Sequence, residues 1–230
     1  MPVTTIKEHT LLSHPLGPHS VVLDLGANAG VFSTAMVRRF GCTCYAVEPN
    51  PAMAARIDDD PRIHVRPFAM SGEAGEATFH VSADPLGSSL HPIDETDYPE
   101  AITVPTESLA GLMARETLSQ VDLVKADIEG AEIPMFDACP DAVLQQVDQY
   151  TVEFHDFNGT TPESVVRSTL DRFRDLGFVV YKKSRLSYCD VLIFHPDRVD
   201  VSAAEMLWVR TGRHYLTGLG RLAKKAVGLG

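Results

Sequence analysis

Cysteine is scarce in this chain and tryptophan scarcer: 230 residues carry four cysteines (Cys42, Cys44, Cys139, Cys189) and one tryptophan. Four cysteines are too few to staple a domain of this size, and no Cys-x-x-Cys pair offers a metal or redox site. They read as small hydrophobes of a reduced, cytoplasmic protein. Cys42 and Cys44, two apart in an extended run, share one face. No stretch approaches the roughly 18 apolar residues of a spanning helix, so no transmembrane segment is expected. The first twenty residues lack a long apolar core and a small-residue cleavage site, so no signal peptide is expected either. Basic charge is short as well: 20 Lys and Arg stand against 31 Asp and Glu, a formal net charge of −11. Such a surface repels phosphate backbones and anionic lipid, which argues against nucleic acid as a partner.

What remains is ordinary globular composition, 44% hydrophobic and 22% charged. It suits one domain over residues 20–200, flanked by an N-terminal segment (1–19) and a basic tail (201–230) that packs on the domain or on a second subunit of a homo-oligomer. Short apolar runs alternate with helical spacing. Ser20 to Leu25 predicts a buried strand, Asn28 to Phe40 a helix closed by Gly41, and Cys42 to Val47 a second strand. A helix opened by Pro51, a strand from Arg62 to Phe68 and a hairpin arm from Ala77 to Ser82 follow. A long acidic loop (83–100) leads to a short extended piece (102–104) and a small helix (108–115). Then come a strand to Ala126, a helix around 131–138, a strand from Asp148 to Phe154 and a helix from Pro162 to Leu176. The last two runs, 178–181 and 189–194, pair as antiparallel strands. This is a doubly wound, mostly parallel α/β sheet with an antiparallel edge and an inserted hairpin.

The first strand runs into Asp24-Leu25-Gly26-Ala27-Asn28-Ala29-Gly30. Small residues between strand and helix let backbone approach a ligand. Asn28 and Phe32 stand where a dinucleotide fingerprint needs its second and third glycines, which argues against a pyrophosphate site. Asp24 suits a ligand that carries positive charge, an ammonium or a sulfonium. The plainer reading is a tight turn with Asn28 as N-cap. Glu48 ends the second strand, where an acid can accept from both hydroxyls of a ribose, or simply favour the next helix's dipole.

The whole pattern resembles the FkbM-like family of S-adenosylmethionine-dependent methyltransferases, which have a seven-stranded Rossmann-like sheet. VVLDLGANAGVFS (21–33) and AVEPNP (46–51) are similar to its first two motifs, PFAMSGEAGEATFHVS (67–82) with GSSL (87–90) to its hairpin and serine loop. VDLVKADIEGAE (121–132) resembles its signature K-x-D-x-E-G-x-E, and VEFH (152–155) its fifth-strand end. The resemblance implies methyl transfer from S-adenosylmethionine to a hydroxyl of a sugar, glycolipid or natural product, a small-molecule or glycan acceptor. An N-methyltransferase and a non-catalytic nucleoside-binding module are the alternatives. It places the cofactor on Asp24, Gly26, Ala27, Asn28, Gly30, Glu48, Pro49, Asn50, Phe68, Ala69, Ser88, Ser89 and Asp127.

Chemistry narrows the remaining candidates. A hydroxyl acceptor must lose a proton, which calls for a base or a metal. Doubly wound sheets gather ligands at strand carboxyl ends, so Asp127, Glu129, Glu153, His155 and Asp156 should crowd one rim. His155 is the expected general base, with Asp127 and Glu129 as the other catalytic candidates. Asp127 can also meet the methionyl ammonium. Lys125 is expected on Asp127's side of the strand or paired with an acid. Asp127, Glu153, His155 and Asp156 form an alternative set for a divalent ion such as magnesium.

Overall fold

The computed structural model describes residues 3–82, 89–90, 100–155, 161–184, 187–199 and 201. Its frame is a seven-stranded sheet whose central strands are apolar on both faces. The strands are β3 (Val21–Leu25), β4 (Thr43–Val47), β5 (Ile63–Arg66), β9 (Leu123–Ala126), β10 (Gln149–Val152), β11 (Val179–Lys182) and β12 (Val191–Phe194), in the order β11-β12-β10-β9-β3-β4-β5. All neighbours are parallel except at one end, where β12 runs against both β10 and β11. The expected antiparallel edge is thus a pair, with the reversed strand inside and β11 outermost.

Alternation along each strand feeds two cores. Leu23, Leu25, Val124, Tyr150 and Val152 enter one, where Phe136, Tyr150, Phe173 and Phe178 meet edge to face. Val22, Leu123, Cys42 and Cys44 enter the other, under α1 (Val31–Phe40). Helices on both faces are what a run of consecutive apolar strand residues requires. The first face is covered by α4 (Glu132–Ala138) and α6 (Glu163–Asp175). Pro134 falls in the first turn of α4, where its missing N–H costs nothing.

Two additions flank this frame. β7 (Gly75–Val81) pairs with β8 (Glu100–Glu107) as the arms of the expected hairpin, and the second arm is eight residues long where only three were expected. The loop between the arms, 83–99, lies outside the described residues except for Ser89 and Leu90. Nothing beyond Val201 is described, so the tail is not either.

The N-terminal segment forms a hairpin, β1 (Val3–Ile6) and β2 (His9–Leu12), around a two-residue turn, Lys7 and Glu8. Both turn residues are left-handed, φ 46° and 72°. Such turns usually take Asn or Gly. The hairpin is bolted to the sheet. Gln149 acts as a surrogate strand, accepting from Leu12 N at 2.9 Å and donating to Leu12 O at 3.0 Å. Asp190 accepts from Thr10 N and Oγ1. No helix among the described residues is long and apolar enough to cross a membrane. Replacing Gln149 by Leu strips two buried backbone groups of their partners. It should destabilise the protein by about 1–3 kcal/mol and expose the hairpin to limited proteolysis. Chemical denaturation and mapping of the first cleavage site check this.

Candidate active site

The site is built on an alignment inside the sheet. Asp24 of β3 and Lys125 of β9 are direct neighbours in register, both pointing toward α1. Lys125 is almost fully buried. Its Nζ lies 3.2 Å from Asp24 Oδ1 and 3.6 Å from Asp127 Oδ2, and it donates to the carbonyls of Leu25 (3.2 Å) and Gly26 (2.6 Å). Burial disfavours the ammonium, but Asp24 and Asp127 hold its pKa above the usual lysine value. Lys125 thus shares Asp127's side and also pairs with acids.

Asp24 corrects its expectation. Its carboxylate is fully buried and does not reach the cavity. Oδ2 accepts from Ser33 N (3.1 Å) and Ser33 Oγ (2.6 Å) in the first turn of α1, and Oδ1 faces Lys125. Asp24 therefore caps α1 from the neighbouring strand and neutralises Lys125.

The glycine loop is shaped by close approach. Gly26 has φ 76°, and a Cβ there would stand 1.8 Å from the carbonyl oxygen of Asp127. Gly30, also left-handed, is the N-cap residue of α1. Asn28 is not that cap: it sits at φ 50°, and its side chain accepts from Ala29 N. The amides of Gly26 and Ala27 both donate to Val47 O. Glu48 ties the loop to the next one, its Oε2 accepting from Asn28 N and its Oε1 from Asn50 N, each at 2.8 Å. Burial raises its pKa against those two hydrogen bonds. The Asn50 side chain accepts from Ala52 N to start α2 (Pro51–Ala54).

Of the five rim candidates, Asp127, Glu129, Glu153 and His155 come together at the strand ends, and Asp156 lies outside the described residues. His155 is buried, its Nδ1 3.0 Å from Glu132 Oε1 and its Nε2 3.0 Å from Glu129 Oε2. Asp127 Oδ1 is 3.8 Å from Nε2. Burial opposes the charged ring, yet the bonds to Glu129 and Glu132 outweigh it and lift the pKa to about 11. Both ring nitrogens are held by carboxylates, an arrangement that suits a charged, anchoring ring better than the expected general base. His155 is a structural cation between two acids. Glu132, itself buried, also accepts from Ile128 N and Gly130 N, and Ser89 Oγ donates to Glu129 O. These contacts fix a loop in which Glu129 is left-handed, φ 53°.

Asp127, Glu129 and Glu153 line a cavity of about 250 Å³ together with Ala27, Asn28, Glu48, Pro49, Asn50 and Ala69. Burial works against the Asp127 charge, but Lys125, His9 and His155 hold its carboxyl well below the usual range. Glu153 goes the other way: burial and the Asp127 carboxylate lift it to about 7, despite His155.

Other expectations shift or fall outside view. Phe68 is a core residue, with Arg115 stacked 5.4 Å from its ring centre, and does not line the cavity; Ala69, Met70 and Phe79 do. Ser88 and Asp156 lie outside the described residues. Of the four expected metal ligands, His155 has both nitrogens engaged by Glu129 and Glu132. The set that lines the cavity is His9, Asp127 and Glu153, with ligand-type atoms within 4.8 Å of one another. His9 escaped the sequence reading altogether. It is buried with its ring edge on Phe32 and its Nε2 3.6 Å from Asp127 Oδ2. Its one signal was an isolated histidine in a segment without a motif.

A family model described as the methyltransferase FkbM domain matches residues 24–180. No curated protein sequence matches the chain. Solved structures with a similar course of chain include fibrillarin from Aeropyrum pernix with natively bound S-adenosyl-L-methionine. It is 14% identical, with TM-score 0.44, over 80% of this chain and 69% of that one. Another is a TehB-like SAM-dependent methyltransferase from Corynebacterium glutamicum, 11% identical, with TM-score 0.42, over 76% and 79%.

The His155 cation has a pH signature. The ring is charged to about pH 11 in the folded chain but only to about 6.5 when unfolded. Its stabilisation is therefore complete below pH 6.5 and is lost as pH rises toward 11. Between pH 7 and 9 the wild type should lose up to about 1.4 kcal/mol per pH unit from this group. His155→Gln should start less stable and lack that slope, as read from urea midpoints across the window.

Proposed function

The chain belongs to the FkbM family of methyltransferases, and on that footing we propose that it moves a methyl group from S-adenosylmethionine to a hydroxyl oxygen. The acceptor class is a sugar, a glycolipid or another natural product. The observation that carries the reading is one cavity with a tethered acid, Glu48, on one wall and the carboxylate rim on the other. The residues fit the cofactor chemically. Each Glu48 oxygen takes one backbone N–H and keeps acceptor capacity for a ribose hydroxyl. Gly26, Ala27 and Asn28 bring backbone close, Pro49, Asn50 and Ala69 supply flat and small surface for a base, and Asp127 offers a carboxylate to the methionyl ammonium. When bound, S-adenosylmethionine supplies an electrophilic methyl group on a sulfonium sulfur.

The rest is positioning and charge. Methyl transfer is an in-line displacement, so much of its rate comes from holding acceptor and methyl in line. Lys125 fixes Asp127 and the Gly26 carbonyl on one ammonium. His155 and Glu132 fix the 127–130 loop beside them. A rim of carboxylates, on a chain of formal charge −11, favours a neutral hydroxyl-bearing acceptor over an anionic one. With four sparse thiols, all free, we place the protein in a reducing cytoplasm.

Glu48→Gln tests the reading. An amide keeps the volume but turns one acceptor into a donor facing a backbone N–H. Binding of S-adenosylhomocysteine should weaken by about 1–3 kcal/mol, roughly 10- to 100-fold, in a variant that still folds. Calorimetry gives the affinity, and unchanged affinity removes Glu48 from the cofactor site. Mass spectrometry of the methylated product settles the acceptor atom, and a methyl on nitrogen would replace the hydroxyl assignment.

A further inference from the structure

The rim holds more acids than its cations and amides consume. Glu129 and Glu132 bracket His155, Asp127 answers Lys125, and Glu48 takes two backbone amides. Among the described residues two cavity acids have neither a hydrogen bond nor an ion pair: Glu8, an exposed residue of the β1–β2 turn, and Glu153, which alone of the acids at the strand ends is left without a partner. Its backbone is fixed, since Glu153 N donates to Ala126 O one step beyond the paired end of β9 and β10. Alternation puts its side chain on the same face as Lys125 and Asp127, and into the cavity.

We infer that Glu153 is the residue that takes the proton from the acceptor hydroxyl. The inference rests on the methyl-transfer reading above. In the step, the acceptor O–H bond breaks and its proton goes to a Glu153 oxygen. The oxygen's electron pair forms the bond to the methyl carbon, and the carbon–sulfur pair stays on sulfur as a neutral thioether. Glu153 then returns the proton to water. An oxygen free of other partners is available for this, whereas the neighbouring acids would have to leave a cation or an amide first.

The surroundings suit a base working near neutrality. The charged and titratable groups around Glu153 are Asp127 and Glu129 from the loop after β9, Lys125 of β9, His155 after β10 and His9 of β2. Burial and the two acids raise its pKa to about 7, against His155 and Lys125. A group poised there is charged enough to accept a proton and basic enough to keep it through the transition state. Asp127 already has Lys125 beside it as a counter-ion, so positive charge at this corner is supplied by the chain itself.

Glu153→Gln and the more conservative Glu153→Asp test the assignment, each first checked for folding by thermal unfolding. Affinity for S-adenosylhomocysteine should stay within about threefold of wild type, and a tenfold loss would make Glu153 a cofactor ligand and overturn the role. Carbon-13 NMR on glutamate-labelled protein should show one carboxyl, missing from Glu153→Gln, that titrates near pH 7. A signal titrating near 4.5 would overturn the role. With a panel of methyl glycosides as acceptor probes, wild-type transfer should rise with pH through about 7. It should fall about 10²- to 10⁴-fold in Glu153→Gln and recover in part in Glu153→Asp. A near-normal rate in Glu153→Gln contradicts the inference. So does a rate abolished by EDTA and restored by magnesium, which would make Glu153 a metal ligand. A wild type inactive on every glycoside counts against the acceptor class proposed above, and the NMR and binding readouts then decide Glu153 by themselves.

Discussion

A single buried ammonium organises this protein. Lys125 sits in the middle of the sheet with Asp24 beside it in register, and it reaches Asp127 and the carbonyls of Leu25 and Gly26 from there. An isolated ammonium in that position would cost several kcal/mol in lost hydration, so its partners are obligatory. Those partners belong to three parts of the site: the strand under the glycine loop, the loop itself, and the first acid of the rim. Satisfying one charge therefore fixes the relative position of all three. The same economy recurs at His155, whose cation joins Glu129 to Glu132 and so holds the 127–130 loop.

The two cations divide the acids of the rim into committed and uncommitted groups, and this division gives the site its chemistry. Asp24 and Asp127 are paired with Lys125, and Glu129 and Glu132 are bound to His155. Glu153 has negative neighbours and partial burial but no partner, and it is pushed toward neutrality. Acids paired with cations beside one acid without a partner are what a site needs to hold its shape and move a proton.

Much of this was legible in the sequence. The buried strands, the Gly26 and Gly30 turn, the Glu48 position and the crowding at 127–155 follow from local spacing and from the rule that ligands collect at strand ends. Roles that depend on which side chains meet across the fold did not follow. Asp24 reads as a ligand acid because it stands before the loop; its burial on Ser33 and Lys125 requires α1 and β9 to be in place. His155 reads as a base because an isolated imidazole titrates near neutrality, and only the approach of Glu129 and Glu132 from another strand's loop turns it into a fixed cation. His9 belongs to a hairpin that has no motif and enters the site through Gln149 and Asp190, more than a hundred residues away in sequence. Phe68 stands in a bend one residue before the cavity-lining Ala69, and its side chain packs in the core, a turn of the chain that spacing alone does not show.

The dependence of the site on Lys125 is measured most directly by a double-mutant cycle between Lys125→Met and Asp24→Asn, read as unfolding free energy. Each single change leaves a buried charge or dipole without its partner and should cost about 3–5 kcal/mol. The double variant should recover part of that loss, with a coupling of about 1–3 kcal/mol between the two positions. Additive losses, with coupling below about 0.5 kcal/mol, would show that the two residues act independently and would contradict the ammonium's place at the centre of the structure.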